Sequence, residues 1–203
     1  MHDPRGKVGV GLGYAISEIG ADHLVTIHDT ALANPESFTF KGAKLVSERV
    51  IPLPPTEISD RKAAQYLIFE NWVSFEKVIG LCFFGPAPRS YMLAPDVCAA
   101  IHFATGWDTN VEELLKIGER ATNMARLFNL REGFGPADDT LPERIFSPLE
   151  NGPLKGVGIS KDDFISAMRT LYTLKGWDLQ TGYPNLEKLD ELGLSWASEW
   201  MGS

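Results

Sequence analysis

Residues 60–82 read DRKAAQYLIFENWVSFEKVIGLC, and the fold class turns on how that stretch is read. Ala63, Ala64, Leu67, Ile68, Asn71, Trp72, Phe75, Val78 and Ile79 recur at the i, i+3, i+4 spacing that lines one side of an α-helix. Asp60 stands where a helix is capped, and Gly80 where one stops. The pattern then delivers Cys82 between Leu81 and Phe83. A thiol there has two physical readings. It is either a buried structural cysteine, behaving as a small hydrophobe, or a metal-ligand thiolate at a helix end, where backbone N–H groups beyond the glycine lower its basicity.

Downstream the helical period continues. A proline-opened segment at 95–105 predicts a short helix. The capping box Thr109-Asn110-Val111-Glu112 predicts a long one, whose Leu114, Leu115, Ile117, Ala121, Met124, Ala125, Leu127 and Phe128 mark it as the best-buried helix, ending before Gly133. Residues 133–158 form a loop rich in glycine and proline, of the length usually laid over a cleft. Ser160 caps a further helix to Lys175, with Gly176 after it, and residues 186–192 form a last short one.

Upstream, residues 6–20 place Gly9, Gly11 and Gly13 in a spacing that superficially resembles a phosphate-cradling loop. No strand precedes it and no βαβ unit surrounds it, so the reading is a tightly packed helix whose glycines admit a close neighbour. Between residues 29 and 55 the helical period is lost. Phe38, Phe40, Leu45, Val46, Val50 and Ile51 alternate loosely with polar residues before Pro52, Pro54 and Pro55, which predicts an excursion containing one short β-hairpin. The expected fold is therefore all-α, an irregular helical domain with long loops, and residues 1–203 read as a single domain.

The totals agree. With 203 residues and 44% apolar composition the chain can bury one substantial core, with or without a satellite. A net charge of −8 repels phosphate backbones and anionic membrane surfaces, so neither nucleic acid nor a membrane is expected as a partner. Cys82 and Cys98 cannot build a disulfide framework, and no signal peptide or bilayer-length apolar run is present, which together predict a soluble, cytoplasmic protein. The chain enters its Gly-rich segment almost at once, as a domain cut from a longer polypeptide would.

Unaided, the chemistry is thin. His23 and His28, beside Asp22 and Asp29, fit neither a helical zinc pair nor a finger, and read as satisfied or exposed histidines. Cys82 with His23 could make a thiol–imidazole nucleophile, but no peptidase flank or orienting residue accompanies them. Asp138-Asp139 reads as a solvated turn without a partner.

Eight short motifs occur in order along almost the whole chain. They are Asp3-Pro4-Arg5-Gly6, Gly11-Leu12-Gly13-Tyr14-Ala15, Gly20-Ala21-Asp22-His23, Gly80-Leu81-Cys82, Leu115-Lys116-Ile117-Gly118-Glu119-Arg120, Arg126-Leu127-Phe128-Asn129-Leu130-Arg131-Glu132-Gly133, Asp138-Asp139-Thr140-Leu141-Pro142 and Lys175-Gly176-Trp177. Each is weak alone; together they resemble the C-terminal domain of the tungsten-containing aldehyde ferredoxin oxidoreductase family.

That resemblance implies a mostly helical domain of an enzyme that oxidises aldehydes to carboxylic acids. The enzyme holds tungsten, or molybdenum, on a bis-pyranopterin and passes electrons to ferredoxin through a [4Fe-4S] cluster. It implies that Cys82 is the cluster's fourth ligand, that Gly80 and Leu81 lie against a pterin, and that His23 sits beside the metal as a proton-handling group. Both cofactors need residues outside this chain, since the preceding domains that carry most pterin contacts and the other three cysteines are not in it. The isolated chain is expected to be inactive and to need the N-terminal domains of the same enzyme; homo-oligomerisation is left open. Two departures matter. Lys77 stands where the family has an aspartate that accepts hydrogen bonds from a pterin amine, and lysine accepts none. Val25 stands where relatives have a basic residue. The rival expectation is a non-catalytic helical module that keeps the family's packing and has lost its cofactor.

Overall fold

The computed structural model describes residues 2–86 and 88–202, and these fold into helices α1 (Val8–Ile16), α2 (Asp29–Leu32), α3 (Phe38–Val46), α4 (Asp60–Val78), α5 (Ala94–Thr105), α6 (Val111–Arg131), α7 (Lys161–Lys175) and α8 (Leu186–Glu191). Irregular loops, short 3-10 segments and isolated bridges make up the rest, and no sheet forms among the described residues. The all-α expectation holds.

Helix α4 is the axis of the molecule. Its cap is Ser59 rather than Asp60: the Ser59 hydroxyl accepts from the Lys62 N–H at 3.2 Å. One side of α4 puts Ala63 and Tyr66 into a cluster with Val10, Leu12, Leu141, Phe164 and Leu171 from α1, the 133–158 loop and α7. The other side puts Phe69, Trp72 and Phe75 into a second cluster with Phe40, Val46, Val97 and Leu114. Each such side chain, fully buried, contributes roughly 1.5–3 kcal/mol. A third, smaller cluster joins Leu127 of α6 to Leu189, Leu192 and Leu194. The single apolar face expected for α4 is thus a helix covered nearly all round, and its polar residues Lys62, Glu70 and Glu76 are carried inside with it.

Burying those groups is costly unless each is paired or neutralised. Lys62 reaches Asp29 at 2.7 Å, and Glu70 accepts from both Tyr66 and Lys175. Glu76 takes the other course. Desolvation pushes its carboxyl up to about 8, with a side-chain hydrogen bond from Trp72 pulling the other way. The folded chain therefore keeps a proton that an unfolded glutamic acid releases near 4.5. This contribution to stability is whole below that pH and is lost as pH rises towards 8, with a ceiling of about 5 kcal/mol. Glu76→Gln is expected to abolish that dependence. In urea melts the variant should outlast the parent at pH 8.5 and converge with it near pH 5; parallel pH profiles for the two proteins would refute the assignment.

Helix α6 begins one residue later than the capping box predicted. Asn110 is the cap, its side chain accepting from the Glu113 N–H at 3.0 Å, while the Thr109 hydroxyl bonds the Glu113 carboxylate. It is also not the best-buried helix, because Met124 and Phe128 are 41% and 50% exposed, whereas α4 hides most of its length. Its decisive residue is Gly118. A Cβ there would stand 1.8 Å from the Asn71 carbonyl oxygen of α4, so the two helices cross backbone to backbone.

The hairpin expected between residues 29 and 55 does not form. Ser37 caps α3 by accepting from the Phe40 N–H at 3.1 Å, and Phe40, Ala43 and Val46 are buried on one helical stripe. Phe38 and Leu45 are exposed, so the apparent alternation mixed core residues with surface ones. No described helix is long and apolar enough to cross a membrane.

Candidate functional site

Helix α1 presents its N-terminus to a carboxylate from its own chain. The N–H groups of Gly9 and Val10 donate to Asp29 at 3.0–3.3 Å, and Lys62 approaches the same carboxylate from α4. Asp29 and Lys62 are 4% and 2% exposed. A phosphate would have to displace this pair, which confirms that the glycine spacing is no nucleotide loop. Close approach is still what the glycines serve. A Cβ on Gly9 would meet Asp29 Oδ1 at 2.7 Å, and one on Gly13 would meet Val25 Cγ2 at 2.8 Å.

Pinning Asp29 fixes the loop that carries both sequence-predicted histidines. His28 is buried, and its Nε2 lies 2.9 Å from the His23 carbonyl oxygen, to which it donates. Its Nδ1 lies 3.3 Å from the Lys7 ammonium. An ammonium has only protons to give, so His28 is the neutral Nε2–H tautomer. Desolvation lowers its pKa to about 4; the hydrogen bond to His23 opposes this, and the charges of Lys7, Arg89 and His2 add to it. His2 completes a group of three rings, its centroid 4.5 Å from that of His28 and 5.3 Å from that of His23. Lys7 is 3.3 Å from His2 Nδ1 as well, so the ammonium bridges two imidazoles. The His23 side chain, 39% exposed, is held through its backbone by His28 and leaves its ring open, with Asp22 at 3.9 Å from Nδ1.

Cys82 lies on the turn that ends α4. Gly80 takes φ +76°, and the Leu81 N–H closes back on the Glu76 carbonyl at 2.9 Å, a helix stop that glycine permits without strain. The thiol that follows is exposed, so the buried-cysteine alternative does not describe it. The ring of Phe83 stacks under Arg89, whose guanidinium carbon is 4.9 Å from its centroid. Arg89 also bears on the histidines: its charge helps lower Lys7, His2 and His28. Lys77, one turn earlier, is turned to Glu18 at 3.6 Å, and Val25 is buried against Gly13.

No set of three or more His, Cys, Asp or Glu side chains able to hold a metal occurs among the described residues. Cys82 could therefore hold a metal only with ligands from elsewhere. Sequence reasoning missed His2, Lys7 and Arg89. Lys7 belongs to no metal or nucleophile spacing, so only folding shows that it reaches His28.

The paired aspartates behave otherwise than the solvated turn expected of them. Asp138 accepts from the Gly135 N–H, while Asp139 is bridged to Arg126 at 2.8 Å and hydrogen-bonded by the Tyr172 hydroxyl. They close the long loop over a cavity of about 460 Å³ lined by Tyr14, Glu70, Arg126, Lys175 and Trp177. Its buried charges are paired, and neither His23 nor Cys82 lines it.

Comparison with known proteins gives a consistent set of matches. The family described as "Aldehyde ferredoxin oxidoreductase, domains 2 & 3" matches residues 1–194. The tungsten-containing aldehyde ferredoxin oxidoreductases of Pyrococcus furiosus and Thermococcus kodakarensis are each 34% identical to the chain over 196 residues, which is 96% of this chain and 29% of theirs. The "Aliphatic sulfonate oxidoreductase, WOR-like subunit" of Pyrococcus furiosus is 32% identical over 96 residues, 44% of this chain and 15% of that protein. The chain spans less than a third of the length of these relatives and corresponds to the C-terminal portion of the tungsten enzymes.

Proposed function

Because the chain belongs to the aldehyde ferredoxin oxidoreductase family, we propose that it is the C-terminal part of a tungsten–pterin oxidoreductase that converts an aldehyde to a carboxylic acid and delivers the electrons to ferredoxin. In that reading Cys82 supplies the fourth thiolate of a [4Fe-4S] cluster whose other three ligands belong to a preceding domain. His23 holds or takes a proton at the substrate side, and Gly80 and Leu81 offer backbone to a pterin. The pterin-bound metal, once assembled, supplies the two-electron oxidation. What this chain adds is shape, one thiolate and a set of imidazoles; alone it is inactive, because one thiolate cannot hold a cluster.

The observation that supports the reading is the exposed Cys82 thiol on the turn that follows Gly80, in a chain that also gathers the rings of His2, His23 and His28. His23 suits a proton-handling role because its backbone carbonyl is anchored while its ring is open. Aldehyde and one water together give the acid, two electrons and two protons, and His23 is the base for one of those protons.

Cys82→Ser in the assembled enzyme is the test. The expected result is loss of cluster iron and of its broad visible absorbance, with the protein still folded by circular dichroism. Unchanged iron content would remove the ligand role. Lys77 and Val25 favour a second reading, a packing module without cofactor, since the former is engaged by Glu18 and the latter is buried. Tungsten, pterin and iron all absent from the assembled protein purified anaerobically would decide for that reading.

A further inference from the structure

Helix α7 and the long loop before it do not close on each other. Ile165, Met168, Arg169 and Tyr172 recur at i, i+3, i+4 and i+7, so they share one stripe of α7, and that stripe lines a cavity of about 340 Å³. Phe146, Phe164 and Leu179 complete its apolar lining, the rings of Phe146 and Phe164 meeting edge to face with centroids 5.4 Å apart. Lone apolar side chains at a surface need no explanation, but Ile165 and Leu179, 43% and 53% exposed, border one hollow. Mostly hydrophobic walls, a few polar groups and a volume above about 300 Å³ are the attributes of a small-molecule site. Neither His23 nor Cys82 lines it.

The walls are fixed in advance. Asp139, which also lines the cavity, is held by Arg126 at 2.8 Å and by the Tyr172 hydroxyl. Asp178 accepts from the N–H groups of Gln180 and Thr181 at 3.0 and 2.7 Å, which ties down the turn carrying Leu179. Charge gives the hollow a sign. Its two cations are Lys161 and Arg169; its acid, Asp139, is spent on Arg126, which does not line it, and neither do Asp162 and Asp163 of the first turn of α7. Among the described residues Lys161 enters one ion pair, with Glu143 at 2.9 Å, and Arg169 enters none. An uncompensated guanidinium therefore stands beside an apolar hollow in a chain whose formal net charge is −8.

We propose that this cavity binds a monocarboxylic acid of medium chain length, its hydrocarbon against Phe146, Phe164, Met168 and Leu179 and its carboxylate on Arg169. A planar guanidinium takes a carboxylate through two N–H donors at once, and the apolar body brings the hydrophobic gain that a bare surface ion pair lacks. Met168, unbranched and polarizable, adapts the wall to tails of differing length. A carboxylic acid is also the class of product in the reaction proposed above, but the charge and shape of this site stand without that reading.

Titration calorimetry of the full chain tests this, with octanoate, hexanoate, acetate, octanamide and octylamine as separate probes. Octanoate should bind one site with a Kd of about 0.1–1 mM, and each methylene removed should weaken binding about fourfold. Octanamide and octylamine should bind at least about tenfold more weakly than octanoate. The Ile165 and Met168 methyl resonances should shift over the octanoate titration. Arg169→Gln should weaken octanoate roughly tenfold, and Leu179→Ala and Ile165→Ser each about fivefold; all three positions are exposed, so the fold tolerates the changes. Leu174→Ala, exposed on the same helix but outside the cavity, should leave binding unchanged. No octanoate binding up to about 10 mM overturns the site, as does equal affinity for octylamine, or affinity that survives Arg169→Gln combined with Lys161→Met. A dimer in sedimentation that Ile165→Asp disperses, with no octanoate bound, gives the hollow to a second copy of the chain and equally overturns the proposal. None of these results touches the Cys82 iron measurement, so failure here is distinct from failure of the redox reading.

Discussion

Gly118→Ala is expected to unfold this chain or nearly so. The added methyl would lie 1.8 Å from the Asn71 oxygen, 2.7 Å from its carbonyl carbon and 2.9 Å from the Phe75 nitrogen, all backbone atoms of α4. No rotamer relieves that contact, so α4 and α6 must part by about 1.5 Å to reach an ordinary C···O separation. Parting them opens both apolar clusters that α4 fills, and the loss should be at least about 3 kcal/mol out of the roughly 5–15 kcal/mol that holds a domain together. Gly135→Ala is the matched control, because a Cβ there meets nothing within 4 Å and its backbone is not left-handed. Guanidinium midpoints for Gly118→Ala and the parent that agree to within about 0.5 kcal/mol would disprove the backbone crossing.

Removing Asp29 is the second large effect. Asp29→Ala strands the Lys62 ammonium, 2% exposed, together with two N–H groups at the start of α1. Breaking a buried pair from one side costs about 3–5 kcal/mol, since an uncompensated charge stays inside. The damage should reach function, for His28 is the preceding residue and anchors the His23 carbonyl. The double substitution Asp29→Leu with Lys62→Met removes both charges and should recover much of the stability, but not the α1 cap or the His28 position. Urea denaturation measures the first part and His28 imidazole shifts the second. A loss below about 1 kcal/mol for Asp29→Ala would show that the Pro54 carbonyl, which also accepts from Lys62 at 3.0 Å, and water satisfy the ammonium without Asp29.

Much of the fold was legible before any coordinates. Helices α4, α6 and α7 carry unbroken 3.6-residue patterns with a cap at the front and a glycine behind, and their ends agree with the sequence reading to within one or two residues. The cap errors are instructive. Ser59 and Asp60 are both capping types, as are Thr109 and Asn110, so local chemistry permits either, and the phase that turns Trp72 and Leu114 into the core selects one. Residues 38–46 misled for a related reason. Exposed Phe38 and Leu45 made the run look alternating, although Phe40, Ala43 and Val46 form the helical stripe that is buried.

The candidate site was legible in its parts and not in its assembly. Cys82 and His23 were picked out by motif, and Gly80 was picked out as a helix stop. Whether the thiol faces hydrocarbon or water could not be read from Leu81 and Phe83, because large apolar neighbours accompany both cases; the turn at Gly80 decides it. Asp139 was read as idle because its partners Arg126 and Tyr172 belong to other helices.

What the sequence determined unaided is periodic or local: an all-α chain, the ends of its three longest helices to within a residue or two, and membership of a family through ordered motifs. Periodicity and capping involve residues three or four apart, so they survive without knowledge of the third dimension. The tertiary structure alone decided which polar residues share a charge and which cations are left without one. Lys62 with Asp29 and Lys175 with Glu70 are both long-range meetings, and the strength of a charge interaction depends on distance and burial, neither of which is written along the chain.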